Sequence, residues 1–269
     1  MTDLTIAIAK GRLQAEALAL LARAGLRLAD EAHLSRRLAI ADESGRYRFI
    51  FIKPADVPVY VEHGIADCGI VGRDVLLESE ADLLQPLTLE IGRCRIVVAA
   101  PESNLRDGFG MLRVATKYPR IAARHFGAHG QPVEIIELSG SVELAPVLGL
   151  ADCIVDLVET GATLRENGLQ IVEVIAKSSA RFVVNRASYQ LKAKFVSNLL
   201  EAVKAGMDEK VPDLPLPLGE GRVRGVAEDP DSSFLFLSRP AGQMDKSKQV
   251  LGQALTQPSQ ERGRRTESD

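Results

Sequence analysis

Apolar and polar positions alternate in two rhythms along the first three quarters of the chain, and the rhythm switches repeatedly, which predicts strands and helices in alternation. Leu4 to Ala9 (LTIAIA) is an apolar run of strand length. After Gly11, residues Leu13, Ala17, Leu18, Leu20 and Leu21 recur at helical spacing that stops at Gly25, so the segment reads as a strand, a turn at Lys10-Gly11-Arg12 and a helix. Arg46 to Lys53 (RYRFIFIK) alternates with period two, a strand, and Pro54 opens a helix through Val57 to His63. Further strands are expected at Asp67 to Val71, Arg93 to Ala100, Leu112 to Thr116, Val133 to Leu138, Cys153 to Leu157 and Ile171 to Ala176. Helices are expected from Pro119 to His125, from Val142 to Leu148, and from about Ala187 to Ala205.

A second strand-and-helix series begins near Gly92, after a first series that already has its own strands and helices. This predicts an α/β protein of two lobes with a cleft between them: residues 1–91 with 179–207 form lobe I, and 92–178 form lobe II. From residue 208 the pattern stops. Six of the 13 prolines fall after residue 211, and PDLPLPLGEGRVRG has neither period, so a disordered tail is expected over 208–269.

Composition narrows the function classes. The 269 residues are 46% hydrophobic and 26% charged, and 33 basic residues against 36 acidic ones leave a net charge of −3. Nothing in that balance favours bulk attraction to nucleic acid or to an anionic membrane, so any phosphate recognition must be local. With no apolar run of membrane-spanning length and no signal-peptide core, the expected compartment is the cytoplasm. Cys68, Cys94 and Cys153 are far apart in apolar surroundings and read as buried reduced thiols. His125 and His129 stand at i,i+4 spacing, but HFGAHG lacks the glutamate of a zinc-hydrolase helix and reads as a helix end.

The most specific chemistry lies in Ile154 to Gly168 (IVDLVETGATLRENG). A buried strand delivers Asp156 near its end, and Thr160-Gly161-Ala162-Thr163 turns into a helix starting near Leu164. Unpaired amides at such a turn cradle phosphate, Gly161 permits close approach, and the threonine hydroxyls add hydrogen bonds. Asp156 and Glu159 suit the vicinal hydroxyls of a ribose, because ionised carboxylates accept charge-assisted hydrogen bonds. Together these describe a 5-phosphoribosyl site; the plainer alternative is that Thr160 caps a helix beside solvated acids. Other candidates read two ways. Ser141, in the strand-to-helix turn SGSVE, can meet a ribose or phosphate oxygen and Glu143 can orient a cation, or both can cap a helix. Gly72 and Asp74 form a glycine turn where Asp74 contacts a nucleotide or caps a helix. Lys53 holds phosphates or protects a strand edge.

IAKGRLQAEAL (8–18), DVPVYVEHGIADCGIVGRDVLLE (56–78), GRCRIVVAAP (92–101), RVATKYPRIAARHF (113–126), ELSGSVELAPVLGLADCIVDLVETGATLRENGL (137–169) and SSARFVVNRASYQLK (178–192) resemble the ATP phosphoribosyltransferase family, over nearly all of 4–207. The resemblance is to the short form, which lacks a C-terminal regulatory domain and works with a separate regulatory subunit similar to histidyl-tRNA synthetase. It implies two lobes like those of type II periplasmic binding proteins. It also implies transfer of phosphoribosyl from phosphoribosyl pyrophosphate to N1 of ATP, the first step of histidine biosynthesis, with Mg²⁺ bound to substrate. A homodimer that joins a hetero-oligomer is the implied assembly. By the same resemblance Lys10, Gly11 and Arg12 face polyphosphate, and Arg36 meets the leaving group through its planar fork. Two other readings stand beside it: a non-enzymatic small-molecule sensor or solute-binding protein of the same architecture, and a phosphoribosyltransferase for another base.

Overall fold

The computed structural model describes residues 3–29, 38–102 and 111–208. Residues Met1–Leu214 cluster as one compact unit. Arg36 and, apart from Asp208, the tail expected over 208–269 lie outside the described residues.

Two mixed sheets organise this unit. The first has the order β2-β3-β1-β4-β11-β5 and the second β10-β6-β9-β7-β8. In the first, β1 (Leu4–Ala9) runs parallel to β3 (Tyr47–Ile52) and β4 (Cys68–Gly72), while β2 (Ala39–Ala41), β5 (Leu84–Thr88) and β11 (Ala180–Val184) run antiparallel to their neighbours. In the second, β7 (Leu112–Thr116) runs parallel to β8 (Val133–Glu137) and β9 (Cys153–Val158), and β6 (Cys94–Pro101) is antiparallel to β9 and to β10 (Leu169–Ser178). The chain passes from one sheet to the other at 89–93 and returns at 179. The two crossings hold each other: Ala180 N–H donates to Ile91 O at 3.0 Å and Leu89 N–H to Ala180 O at 2.9 Å.

Both faces of each sheet are covered, which explains why the central strands read as continuous apolar runs. Helices α1 (Arg12–Arg23) and α8 (Ala193–Asp208) bury Leu20, Leu21, Val196, Leu199 and Val203 on one face of the first sheet. They approach so closely that a methyl group on Gly206 would lie 2.9 Å from the Ala24 nitrogen. The opposite face takes Val57 and Val61 of α2 (Asp56–Glu62) and Leu76 of α3 (Arg73–Ser79). On the second sheet α4 (Pro119–Ala128) packs Ile121, Ala122 and Phe126 against one face, and α5 (Leu144–Val147) and α6 (Ala162–Glu166) pack Ala145 and Leu164 against the other.

The expected helix over 187–205 is two helices, α7 (Arg186–Leu191) and α8, with the break at Lys192. There Lys192 Nζ reaches Asp67, a buried carboxylate that also accepts from the Thr5 amide and the Ser188 hydroxyl. Three short elements carry no periodic signal: β2, α3 and β5, the last an edge strand holding Pro86, which an interior strand would exclude. The cysteines are free and buried, and burial pushes the Cys153 thiol up to about 12. His129 follows the last turn of α4 and its Nδ1 lies 2.8 Å from His125 O, a helix end as expected.

Candidate active site between two glycine turns

Because β1 and β3 are parallel and in register, with Ala9 opposite Ile52, both strands end at one edge of the first sheet. Lys10 and Lys53 follow them side by side, and the Lys10 amide donates to Ile52 O at 2.8 Å. Carboxyl ends of strands are where open α/β sheets place ligands. Gly11 follows at φ 96°, ψ −145°, a conformation essentially reserved for glycine, and serves as N-cap of α1 with no side-chain cap. Arg12 is the first helical residue.

The second sheet repeats the device at the end of β9. Asp156 lies on that strand, half-buried, and one carboxylate oxygen accepts from the Leu157 amide at 2.8 Å. Burial pushes the Asp156 carboxyl above the usual range; the Leu157 amide and Lys117 pull it back, and Glu143 raises it further. Gly161, at φ 77°, is the N-cap of α6, again without a side-chain cap. Among the described residues the Thr160 hydroxyl takes only a long contact, 3.4 Å from the Ala162 amide, so it is not the helix cap. Among the described residues no acceptor meets the amides of Gly161, Thr163 and Leu164, so three donors remain for a ligand. Residues 158–164, Asp156, Glu143 and Arg12 enclose a cleft of about 230 Å³.

Arg12 closes this cleft from the other sheet. Its guanidinium donates to Glu159 Oε2 at 2.6 Å, tying the first glycine turn to the second. Burial is the largest influence on the Arg12 guanidinium and works against its charge, but the hydrogen bonds and charges of Glu159 and Cys94 together outweigh it, so its pKa is raised and the guanidinium stays charged.

On the side of α3 the two sheets are joined by buried polar groups. Asp74 Oδ1 accepts from Ser178 Oγ at 3.1 Å, and Oδ2 accepts from the Tyr118 hydroxyl at 3.3 Å. Burial, reinforced by the Asp74 charge, pushes the Tyr118 phenol up, so it remains a donor. Nearby, Glu78 accepts from the amides of Arg120 and Ile121 at 2.9 and 3.0 Å, capping α4 from outside that helix.

The cleft gathers Arg12, Glu143, Asp156, Glu159, Thr160, Gly161, Ala162 and Thr163 from among the residues expected from sequence. Lys10, Gly11 and Lys53 sit together at the neighbouring sheet edge. Ser141 stands exposed at φ 50°, outside the lining but in the turn that supplies Glu143. Asp74 calls for a correction. It neither caps α3, whose N-cap is Gly72, nor presents a free carboxylate to a nucleotide, since it is buried and both oxygens are engaged. Gly72 belongs to the same arrangement: a methyl group there would collide with Asp74 Oδ1. Glu143 precedes α5 but makes no capping bond. Tyr118, Ser178 and Glu78 went unnoticed in the sequence, because nothing in their spacing reveals that they meet α3, or that α3 reaches them, across the two sheets.

The sequence model of the family described as HisG: ATP phosphoribosyltransferase matches residues 53–205. The ATP phosphoribosyltransferase of Sorangium cellulosum is 50% identical over 202 residues, 75% of this chain and 95% of that protein. The one from Caldanaerobacter subterraneus is 47% identical over 201 residues, 74% of this chain and 95% of its own length. The chain belongs to the ATP phosphoribosyltransferase family. Membership makes it an enzyme of phosphoribosyl transfer, acting in the first step of histidine biosynthesis, and leaves the sensor reading without support. The relatives are matched almost end to end by about 200 residues, as the short form requires. Among solved structures, a chain of the ATP phosphoribosyl transferase (HisG:HisZ) complex from Thermotoga maritima aligns with TM-score 0.69 at 38% identity, covering 77% of this chain and all of that one. Among the described residues no helix is long and apolar enough to cross a membrane, and no group of three or more His, Cys, Asp or Glu is placed to hold a metal ion.

Proposed function

We propose that the cleft seats phosphoribosyl pyrophosphate with its sugar on the second sheet and its pyrophosphate facing the first. The amides of Gly161, Thr163 and Leu164 and the hydroxyls of Thr160 and Thr163 hold the 5-phosphate, with Ala162 completing the turn. Asp156 and Glu159 accept from the ribose hydroxyls, Ser141 adds a donor at the rim, and Glu143 tunes Asp156. Lys10, the Gly11 backbone, Arg12, Lys53 and Arg36 serve the pyrophosphate.

In this arrangement the lone pair of adenine N1 forms the new bond to the anomeric carbon. The bond from that carbon to pyrophosphate breaks, and its electron pair leaves with the pyrophosphate. N1 needs no strong base, so the work falls on positioning and on neutralising the departing charge, the role proposed for Arg12. Mg²⁺ bound to the substrate's phosphates would supply further charge neutralisation there.

The two sheets would be the two lobes, 1–91 with 179–207 and 92–178, in the manner of type II periplasmic binding proteins, working in the cytoplasm. A homodimer joined by a histidyl-tRNA-synthetase-like regulatory subunit is the proposed assembly, a reading supported by the two-component complex from Thermotoga maritima.

The observation that carries this reading is the enclosure of Asp156, Glu159 and the 160–163 turn in one cleft opposite Arg12. The test mixes the protein with ATP, phosphoribosyl pyrophosphate and Mg²⁺ and follows adduct formation by ultraviolet absorbance, with and without the regulatory subunit. Asp156→Ala and Thr160→Ala should lose turnover while wild type shows it; equal rates would remove the cleft from the reaction.

A further inference from the structure

Arg12 has a second partner besides Glu159, the thiol of Cys94, which is the first residue of β6. Cys94 is buried, and its register partner across the β6–β10 pair is Ser178, the last residue of β10, whose hydroxyl the thiol also meets. Ser178 Oγ in turn joins Asp74: it accepts from the Asp74 amide at 3.2 Å and donates to Asp74 Oδ1 at 3.1 Å. Tyr118 donates to the other carboxylate oxygen at 3.3 Å. The contacts thus pass from the first sheet to the second at Arg12 and Cys94, return to α3 at Asp74, and reach the second sheet again at Tyr118.

The inventory of donors and acceptors gives this chain a direction. A guanidinium only donates, so Sγ accepts from Arg12. Burial holds the Cys94 thiol above its ordinary range, the Arg12 hydrogen bond draws it back and the Asp74 charge pushes it further, so Sγ keeps its proton and can donate once. The Ser178 hydroxyl gives its one proton to Asp74 Oδ1, so toward Cys94 it can only accept. Every link therefore points from the Arg12 cation toward the Asp74 carboxylate.

The two partners of Arg12 differ in what they leave of its charge. Glu159 is an exposed carboxylate that compensates the guanidinium. A thiol is a weak, neutral acceptor, which orients the guanidinium and leaves its positive field for a ligand. In the proposed function Glu159 accepts from the ribose hydroxyls, and Cys94 is then the partner that Arg12 retains among the described residues.

We infer that Cys94, backed by Ser178 and Asp74, is a positioning residue that holds the Arg12 guanidinium toward the departing pyrophosphate once Glu159 turns to the sugar. The inference rests on the transfer reading above and adds to it residues that act through Arg12. It gives the buried Asp74 a part in the reaction without contact with the nucleotide.

The test uses the full chain with Cys94→Ala, Cys94→Ser and Ser178→Ala. Cys94→Ala should lower kcat roughly tenfold, the scale of one hydrogen bond to a charged group, with KM for ATP and for phosphoribosyl pyrophosphate little changed. Cys94→Ser supplies a hydroxyl that accepts and donates as the thiol does, and should recover most of the loss. Ser178→Ala cuts the chain one link further on and should show the same defect in kcat at smaller size. In an Arg12→Ala background Cys94→Ala should cost nothing further, because the group it positions is gone. Wild-type kcat in Cys94→Ala, a Cys94→Ser variant as slow as Cys94→Ala, or an equal loss with and without Arg12 overturns the inference. Should Arg12→Ala turn over like wild type, the role of Arg12 at the leaving group falls instead. Cys94 is then judged by a crystal structure of Cys94→Ala: a guanidinium displaced from its place beside residue 94 supports the positioning, and one that has not moved rejects it.

Discussion

The turns after β1 and β9 use one backbone device for opposite charges. Each follows a strand, each puts a glycine at positive φ in the N-cap position, and neither helix receives a side-chain cap, so amides are left for a ligand. They differ in what surrounds the glycine. The first turn carries Lys10 and Arg12 and opens a helix of 12 residues; the second carries Glu159 and two threonines and opens one of five. A cationic turn facing an acidic one places a pyrophosphate leaving group and a sugar diol at opposite ends of the same substrate. The two turns hold each other through Arg12 and Glu159, the groups proposed to hold substrate.

The comparison breaks most visibly if the charged member of either turn is removed. Arg12→Ala is expected to lower turnover about 100-fold to 1,000-fold, the scale for losing a donor aimed at developing charge. It should weaken ATP binding far less, because the charge it meets develops late on the pyrophosphate. Asp156→Ala should match it in kcat/KM for phosphoribosyl pyrophosphate. Steady-state kinetics on both variants decides this, and an Arg12→Ala defect confined to KM for ATP would sink the division of roles.

The glycines come next. Gly11 lies in a region of φ and ψ that side chains scarcely enter, so Gly11→Ala should destabilise by about 1–3 kcal/mol although a methyl group there meets nothing. Gly161 is left-handed at φ 77°, ψ 10°, where alanine costs about 1–2 kcal/mol; its methyl would press on Arg165 Nη1 at 3.2 Å, the mobile end of a side chain. Denaturant unfolding of the two variants should therefore rank Gly11→Ala as the more damaging. The reverse order would mean that packing, not backbone strain, dominates.

The two regions were also unequally legible in sequence. The turn after β9 stood out because its strand, acid, glycine and hydroxyls are contiguous, so one short window holds the chemistry. Lys10-Gly11-Arg12 is a common surface pattern, and its importance rests on facing a segment 147 residues away. The same distance hid Asp74, whose partners Tyr118 and Ser178 are 44 and 104 residues on. Periodicity found the central strands, whose two covered faces demand apolar runs, but gave no signal for β2 and β5, the two edge strands of the first sheet. The pairing of Cys94 with Ser178 was invisible until register put the two residues opposite each other.

The smallest expected effect probes the acidic turn from within. Asp156 must be ionised to accept from ribose hydroxyls, and burial, with Glu143 as a further contributor, raises its pKa. The acid side of the kcat/KM profile for phosphoribosyl pyrophosphate should therefore fall above the ordinary carboxylate range. Glu143→Gln removes a neighbouring negative charge and should move that limb to lower pH, while Lys117→Met removes a positive one and should move it higher. The sign for stability is opposite to that of a salt-bridged acid. With its folded pKa raised above the unfolded value, the Asp156 contribution is complete below the unfolded pKa and is lost as pH rises through the folded one. Glu143→Gln should thus make the protein less sensitive to that rise. A limb that stays in place, or shifts upward in Glu143→Gln, would show that a different group sets the profile and that Glu143 does not act through Asp156.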